Sequence, residues 1–101
     1  MNHVSQESLV LLHRAIMLCD LSGSRVALLG GLDPGFRAGL PLAASPSEQI
    51  LVDLHTLNGV QQLSDGTIPL LVWAQNALAL SASRRESLPL VALIDQLNRP
   101  S

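Results

Sequence analysis

The 101-residue chain has no lysine and no tyrosine, one cysteine, one tryptophan and one phenylalanine, and only 14% of it is charged. Each scarcity excludes something. A lone cysteine can form no disulfide within the chain, so nothing argues for secretion and a reducing cytoplasm is the expected compartment. Six arginines against eight carboxylates, a formal charge of −2, leave no cationic footprint for a phosphate backbone, so nucleic acid is not an expected partner. Gly30 and Gly35 have the four-residue gap of a phosphate loop, but Phe36 and Arg37 follow, where a lysine and a hydroxyl are needed. Helix ends and close packing account better for Gly30, Gly31, Gly35 and Gly39.

Metals, membranes and leaders are excluded on similar grounds. No second cysteine and no histidine pair at four-residue spacing is present, so no metal and no cofactor is expected. The longest nearly apolar window, Ile68 to Ala82, is broken by Gln75 and Asn76 and falls short of the ~20 residues of a bilayer span. At the N-terminus, Leu9 to Leu12 is cut by His13 and Arg14, and bulky Leu18 precedes Cys19, which spoils a lipoprotein cleavage pattern.

What the chain does contain is leucine, 22 of them in a composition that is 48% apolar. Leucine and alanine keep their rotamer freedom in helices, so an all-α domain is expected. At this length one core can bury about two-thirds of the surface an unfolded chain exposes. The expected organisation is one helical domain over residues 1–98, with Arg99, Pro100 and Ser101 beginning a linker.

Five or six short helices can be placed. Ser5 to Leu18 starts polar and then sets Leu9, Leu12, Ile16 and Cys19 at helical spacing. Val26, Leu28 and Leu29 form a short second helix ended by Gly30 and Gly31, and Asp33 with Pro34 caps another turn or two as far as Gly39. Ser45, Pro46 and Glu48 form a capping box that opens a helix with Ile50, Leu51, Leu54 and Leu57 inward and Gln49, Asp53 and Thr56 on the opposite face. Ser64, Asp65 and Gly66 make a turn before a helix from about Ile68 to Ala82, apolar nearly all round, with Trp73 at the centre of the core. Arg84, Arg85 and Glu86 lie in a polar break. Leu90, Leu93, Ile94 and Leu97 mark the last helix.

The groups that titrate near neutrality are His3, His13, His55 and Cys19, and none stands in a catalytic constellation. Cys19 reads as a small core residue and His55 as a solvent-edge histidine, since Asp53 and His55 point about 200° apart on a helix. The alternative is a small ligand-binding protein or enzyme built on Cys19 and His55. Finding Cys19 packed among leucines with His55 at the surface would dismiss it.

The remaining candidates are surface charges. Arg25, Arg37, Arg84 and Arg85, set against Asp53 and Glu86 among the carboxylates, are the expected partner-binding residues. Opposite-sign patches let copies dock, and arginine's planar fork meets carboxylates bidentately.

The stretch from Asp53 to Leu80 carries a more specific signal. Asp53, Leu54, Leu57 and Asn58, then Leu63, Asp65, Gly66, Pro69 and Leu70, then Trp73, Asn76 and Ala77 resemble the pattern of bacterial effector-associated domains, members of the death-like superfamily. The likeness extends over roughly residues 7 to 98. It implies a compact helical bundle of the death-like fold, similar in role to caspase-recruitment domains. Such a domain is a non-catalytic adaptor that pairs with a matching domain, its own or a sister's. The pairing brings an effector such as a protease to a sensor such as a nucleotide-binding oligomerisation protein in bacterial immunity. It further implies that Trp73 and Leu70 lie in the core, that Asp65 and Gly66 form the turn, and that Asn76 bonds to a loop backbone.

Overall fold

Serine, aspartate and proline open the helices of this chain. In the computed structural model, which describes residues 3–21, 23–63, 66–81, 85 and 88–98, Ser5 Oγ accepts from the Ser8 amide at 3.3 Å. Asp33 Oδ2 accepts from the Phe36 amide at 3.0 Å, and Ser45 Oγ from the Glu48 amide at 3.2 Å. Each bond satisfies a donor that the first helical turn leaves unpaired. Pro34, Pro46 and Pro69 occupy first helical positions, where a missing N–H costs nothing.

Six α-helices result among the described residues: α1 (Gln6–Leu18), α2 (Arg25–Leu28), α3 (Pro34–Ala38), α4 (Pro46–Gly59), α5 (Pro69–Ser81) and α6 (Leu88–Asn98). There is no strand among the described residues. α5 packs on α2, α4 and α6, while α1 packs on α4 and α6. The radius of gyration, 12.4 Å, is close to the roughly 13 Å of a compact chain this long.

The core is made almost wholly of leucine and isoleucine around one indole. Trp73, Leu9, Leu12, Ile16, Leu28 and Ile50 are among its fully buried side chains. Trp73 Nε1 is buried without a hydrogen-bond partner, so the ring contributes by packing alone. Leu90 and Leu93 are buried as expected, and Ile94 and Leu97 pack against the core from its edge. Val26 departs from the expected pattern: it is 82% exposed on α2 while Leu28 and Leu29 turn inward.

Polar anchors fix the segments between helices. Asn58, at the end of α4, accepts from the Val4 amide at 2.9 Å and donates to the Val4 carbonyl at 3.0 Å. His3 Nε2 donates to the Val60 carbonyl at 2.8 Å, so residues 3 and 4 strap across the end of α4. Asn76 on α5 donates to the carbonyls of Leu28 at 2.9 Å and Gly30 at 2.8 Å. This is the bond to a loop backbone that the resemblance implies. Gly31, just beyond, holds φ at +87°, a conformation that suits glycine.

Two turns show how the chain changes direction. α1 ends with the Leu21 amide bonded to the Ile16 carbonyl at 3.0 Å and the Asp20 amide to the Met17 carbonyl at 3.1 Å. This paired pattern puts Asp20 in the left-handed region, at φ +56°. The turn before α5 closes through the Leu63 amide on the Thr67 carbonyl at 2.7 Å, with Gly66 at φ +90°. Ser64 and Asp65, assigned to this turn from sequence, lie outside the described residues.

Two substitutions test this account by urea denaturation. Asn76→Ala, which removes both bonds to α2 and its loop, is expected to lower stability by about 2 kcal/mol. Asp20→Gly is expected to raise it by about 0.5–1 kcal/mol, because glycine adopts the left-handed conformation without a Cβ penalty.

Candidate docking surfaces

Asp53 is the most deeply buried charge among the described residues, at 0% exposure. It faces inward, not outward as expected from sequence. At about 100° per residue, position 53 stands only about 40° from Leu57 on the helix, inside the apolar stripe of α4. Three donors meet its carboxylate. Arg25 Nε reaches Oδ2 at 2.8 Å, Arg25 Nη2 reaches Oδ1 at 3.2 Å, and Gln49 Nε2 reaches Oδ1 at 2.9 Å. Gln49, also buried, donates to the Pro41 carbonyl at 3.0 Å and accepts from the Ala43 amide at 2.8 Å. One carboxylate thus ties α2, α4 and the connector 40–44 together.

This geometry redistributes the residues expected to bind a partner. Asp53 is unavailable at the surface, and Arg25 spends its fork on Asp53 with 29% of its side chain exposed. Arg37 is half-buried on α3 with Nε unpartnered. Arg85 is exposed. Arg84 and Glu86 lie outside the described residues.

Cys19 is 4% exposed in the leucine core, and His55 is exposed on α4 beside Gln6 Nε2 at 3.2 Å. That is the arrangement that dismisses a pocket built on these two. Among the described residues, no group of three or more histidine, cysteine or acidic side chains is placed to hold a metal. No helix among them is long and apolar enough to cross a membrane.

Among the described residues, exposed apolar side chains gather on α1 and α6. Val10, Leu11 and Leu18 on α1 are 52%, 53% and 55% exposed, and Leu88 and Val91 on α6 are 62% and 46% exposed. Two shallow hollows of about 390 and 310 Å³ flank the α1 stripe. Arg14 and Arg85 line the second, beside Leu18 and Leu88. α6 runs antiparallel to α1 here, for Leu88 neighbours Leu18 in that hollow while Gln96 donates to the His3 carbonyl at 3.4 Å. A second exposed pair, Val26 and Leu42, each 82% exposed, belongs to α2 and the connector.

The buried positions of α1 alone do not reveal the α1–α6 surface. The signal is present: Val10, Leu11 and Leu18 repeat on the face opposite Leu9, Leu12 and Ile16, where an ordinary surface helix is polar.

The family model for effector-associated domain 5 matches residues 3–101, nearly the whole chain. The chain belongs to that family. No match was found among curated proteins or among solved structures. As its name states, an effector-associated domain works in association with effector proteins. Within this one, the residues that carried the resemblance mostly serve the fold. Leu54, Leu57, Leu70, Trp73 and Ala77 are fully buried, and Asn58 and Asn76 bond to backbone. These buried side chains are thereby withdrawn from the surface.

The ion pair gives an asymmetric test. Arg25→Ala leaves the Asp53 carboxylate buried with Gln49 as its remaining donor, and a cost of about 3–5 kcal/mol is expected. Asp53→Ala frees a guanidinium that is already 29% exposed and can rotate into water. Its expected cost is smaller, about 1–2 kcal/mol. Urea midpoints of the two variants measure the difference.

Proposed function

We propose that this effector-associated domain is a non-catalytic recruiting module of the death-like type. It brings an effector to a sensor by pairing with a like domain carried on the other protein, for example one fused to a protease and one to a nucleotide-binding oligomerisation protein. Bacterial immunity or conflict systems are the setting this role fits, and the cytoplasm its compartment. The observation that carries the reading is an apolar face, α1 with α6, left uncovered on a domain whose family name states association with effectors.

Physical chemistry favours this face over the charged positions first expected. Burying Leu11, Leu18 and Leu88 against a partner removes apolar surface from water, at about 25 cal/mol per Å². Arg85 at its edge supplies orientation and specificity, as rim charges do. Arg25 and Asp53 already neutralise each other and offer a partner little.

Co-purification with a matching effector-associated domain tests the proposal. The wild-type chain is expected to retain the partner, L18D to abolish retention, and reversal of Arg84 and Arg85 to glutamate to weaken it, with helical circular dichroism and melting temperature unchanged. Undiminished retention by the double reversal removes these arginines from the docking surface. Failure of the wild-type chain to retain any matching domain overturns the recruiting role.

A further inference from the structure

The exposed face of α1 has a symmetry of its own. Glu7, Val10, Leu11, Arg14 and Leu18 form one continuous stripe, and all five are exposed. Glu7 and Arg14 stand two helical turns apart, about 10 Å along the axis. Neither has an ion-pair partner among the described residues. The midpoint between them is also the midpoint between Val10 and Leu11.

An interface made by a two-fold axis requires that when one residue meets another, the second meets the first across the axis. The α1 stripe meets this condition when two copies lie antiparallel. With the axis between Val10 and Leu11, Val10 of each copy faces Leu11 of the other, and Glu7 of each faces Arg14 of the other. Two ion pairs then close the ends of an apolar centre. A parallel pairing sets Glu7 against Glu7 and Arg14 against Arg14. The charge order along the helix therefore selects one orientation.

From this complementarity we propose that α1 is a homodimer interface, occupied by a second copy of this chain packed antiparallel across a two-fold axis. The inference rests on the like-with-like pairing above and specifies the surface and the geometry. Leu88 on α6 extends the apolar surface beside Leu11 and Leu18. The hollow bordered by Gln6, Glu7, Val10 and Leu11 is open to side chains of the facing helix. An interface of this extent belongs to the small, transient class, so assembly is concentration-dependent. A closed two-fold contact also ends at the dimer, whereas a head-to-tail contact would grow into a filament.

Charge exchange tests this by analytical ultracentrifugation over a concentration series reaching about 1 mM. The wild-type chain is expected to move from monomer to dimer and no further. E7R and R14E are each expected to weaken the dimer by about tenfold, since each turns two attractive end contacts into repulsive ones. Mixing E7R with R14E, or combining both in one chain, is expected to restore it, because every end contact is again between opposite charges. Recovery on mixing also shows that both variants are folded. L11D is expected to abolish dimerisation, and V26D, on the separate α2 patch, to leave it unchanged. A chain that stays monomeric throughout, a mixture no tighter than its components, or growth beyond the dimer overturns the proposal. Retention of a sister domain by a chain that stays monomeric would sink this dimer and leave the recruiting role standing. Dimerisation without any such retention would do the reverse.

Discussion

A carboxylate taken wholly out of water has to be surrounded by donors, and that requirement at Asp53 organises one side of the domain. Removing an ion from water costs several kcal/mol, recovered only when its lone pairs are filled by charge-assisted bonds. Arg25 and Gln49 supply three, and each brings a segment with it: Arg25 brings α2, and Gln49 the connector 40–44 through Pro41 and Ala43. A four-residue helix such as α2 cannot persist on its own hydrogen bonds, because nucleation fixes several dihedrals for each bond gained. It persists because its first residue is held by Asp53 and the carbonyl of its last by Asn76.

These two anchors come from different helices, so they also set how α4 and α5 stand about α2. Leu28 is fully buried, and Val26, two residues earlier and about 200° round the helix, is left in solvent. The N-terminal strap follows the same logic at the opposite end of α4. There Asn58 both donates to and accepts from Val4, which closes the bundle over the end of α4 without an additional helix. In each case an amide or carboxylate on a long helix satisfies the backbone or charge of a short segment that could not hold itself.

Much of this was legible in the sequence, for reasons that are local. Caps at Ser5, Asp33 and Ser45 and prolines at first helical positions act within one turn, so their residue types identify them directly. The buried stripe of α1 and the central place of Trp73 follow from periodicity and from having a single large aromatic to bury. Polarity alone puts Asp53 at the surface, but its helical phase falls within the apolar stripe. What no local pattern contains is Arg25, 28 residues earlier, arriving as its counter-ion. The α1–α6 face escaped for a related reason. An exposed leucine is recognised only once the buried ones are known, and it gains meaning only when a neighbour from a distant helix, Leu88, lies beside it.

The positions that resemble the family and the positions open to a partner scarcely overlap, and the physics of each explains why. A residue that fixes the fold has to be buried or bonded internally, as Trp73, Asn58 and Asn76 are, and is thereby withdrawn from any second molecule. A residue that selects a partner has to remain solvated until the partner arrives, and Leu11, Arg14 and Arg85 are exposed. In the proposed reading, fold and partner choice are therefore carried by separate residue sets. The exposed set can change its charges or apolar side chains at little cost to stability, because surface substitutions away from buried features usually shift it by no more than about 0.5 kcal/mol. A bundle held by Asp53, Asn58 and Asn76 can thus present different docking faces on one framework, and the proposed like-with-like pairing would require that whatever face it presents be complementary to itself or to its sister.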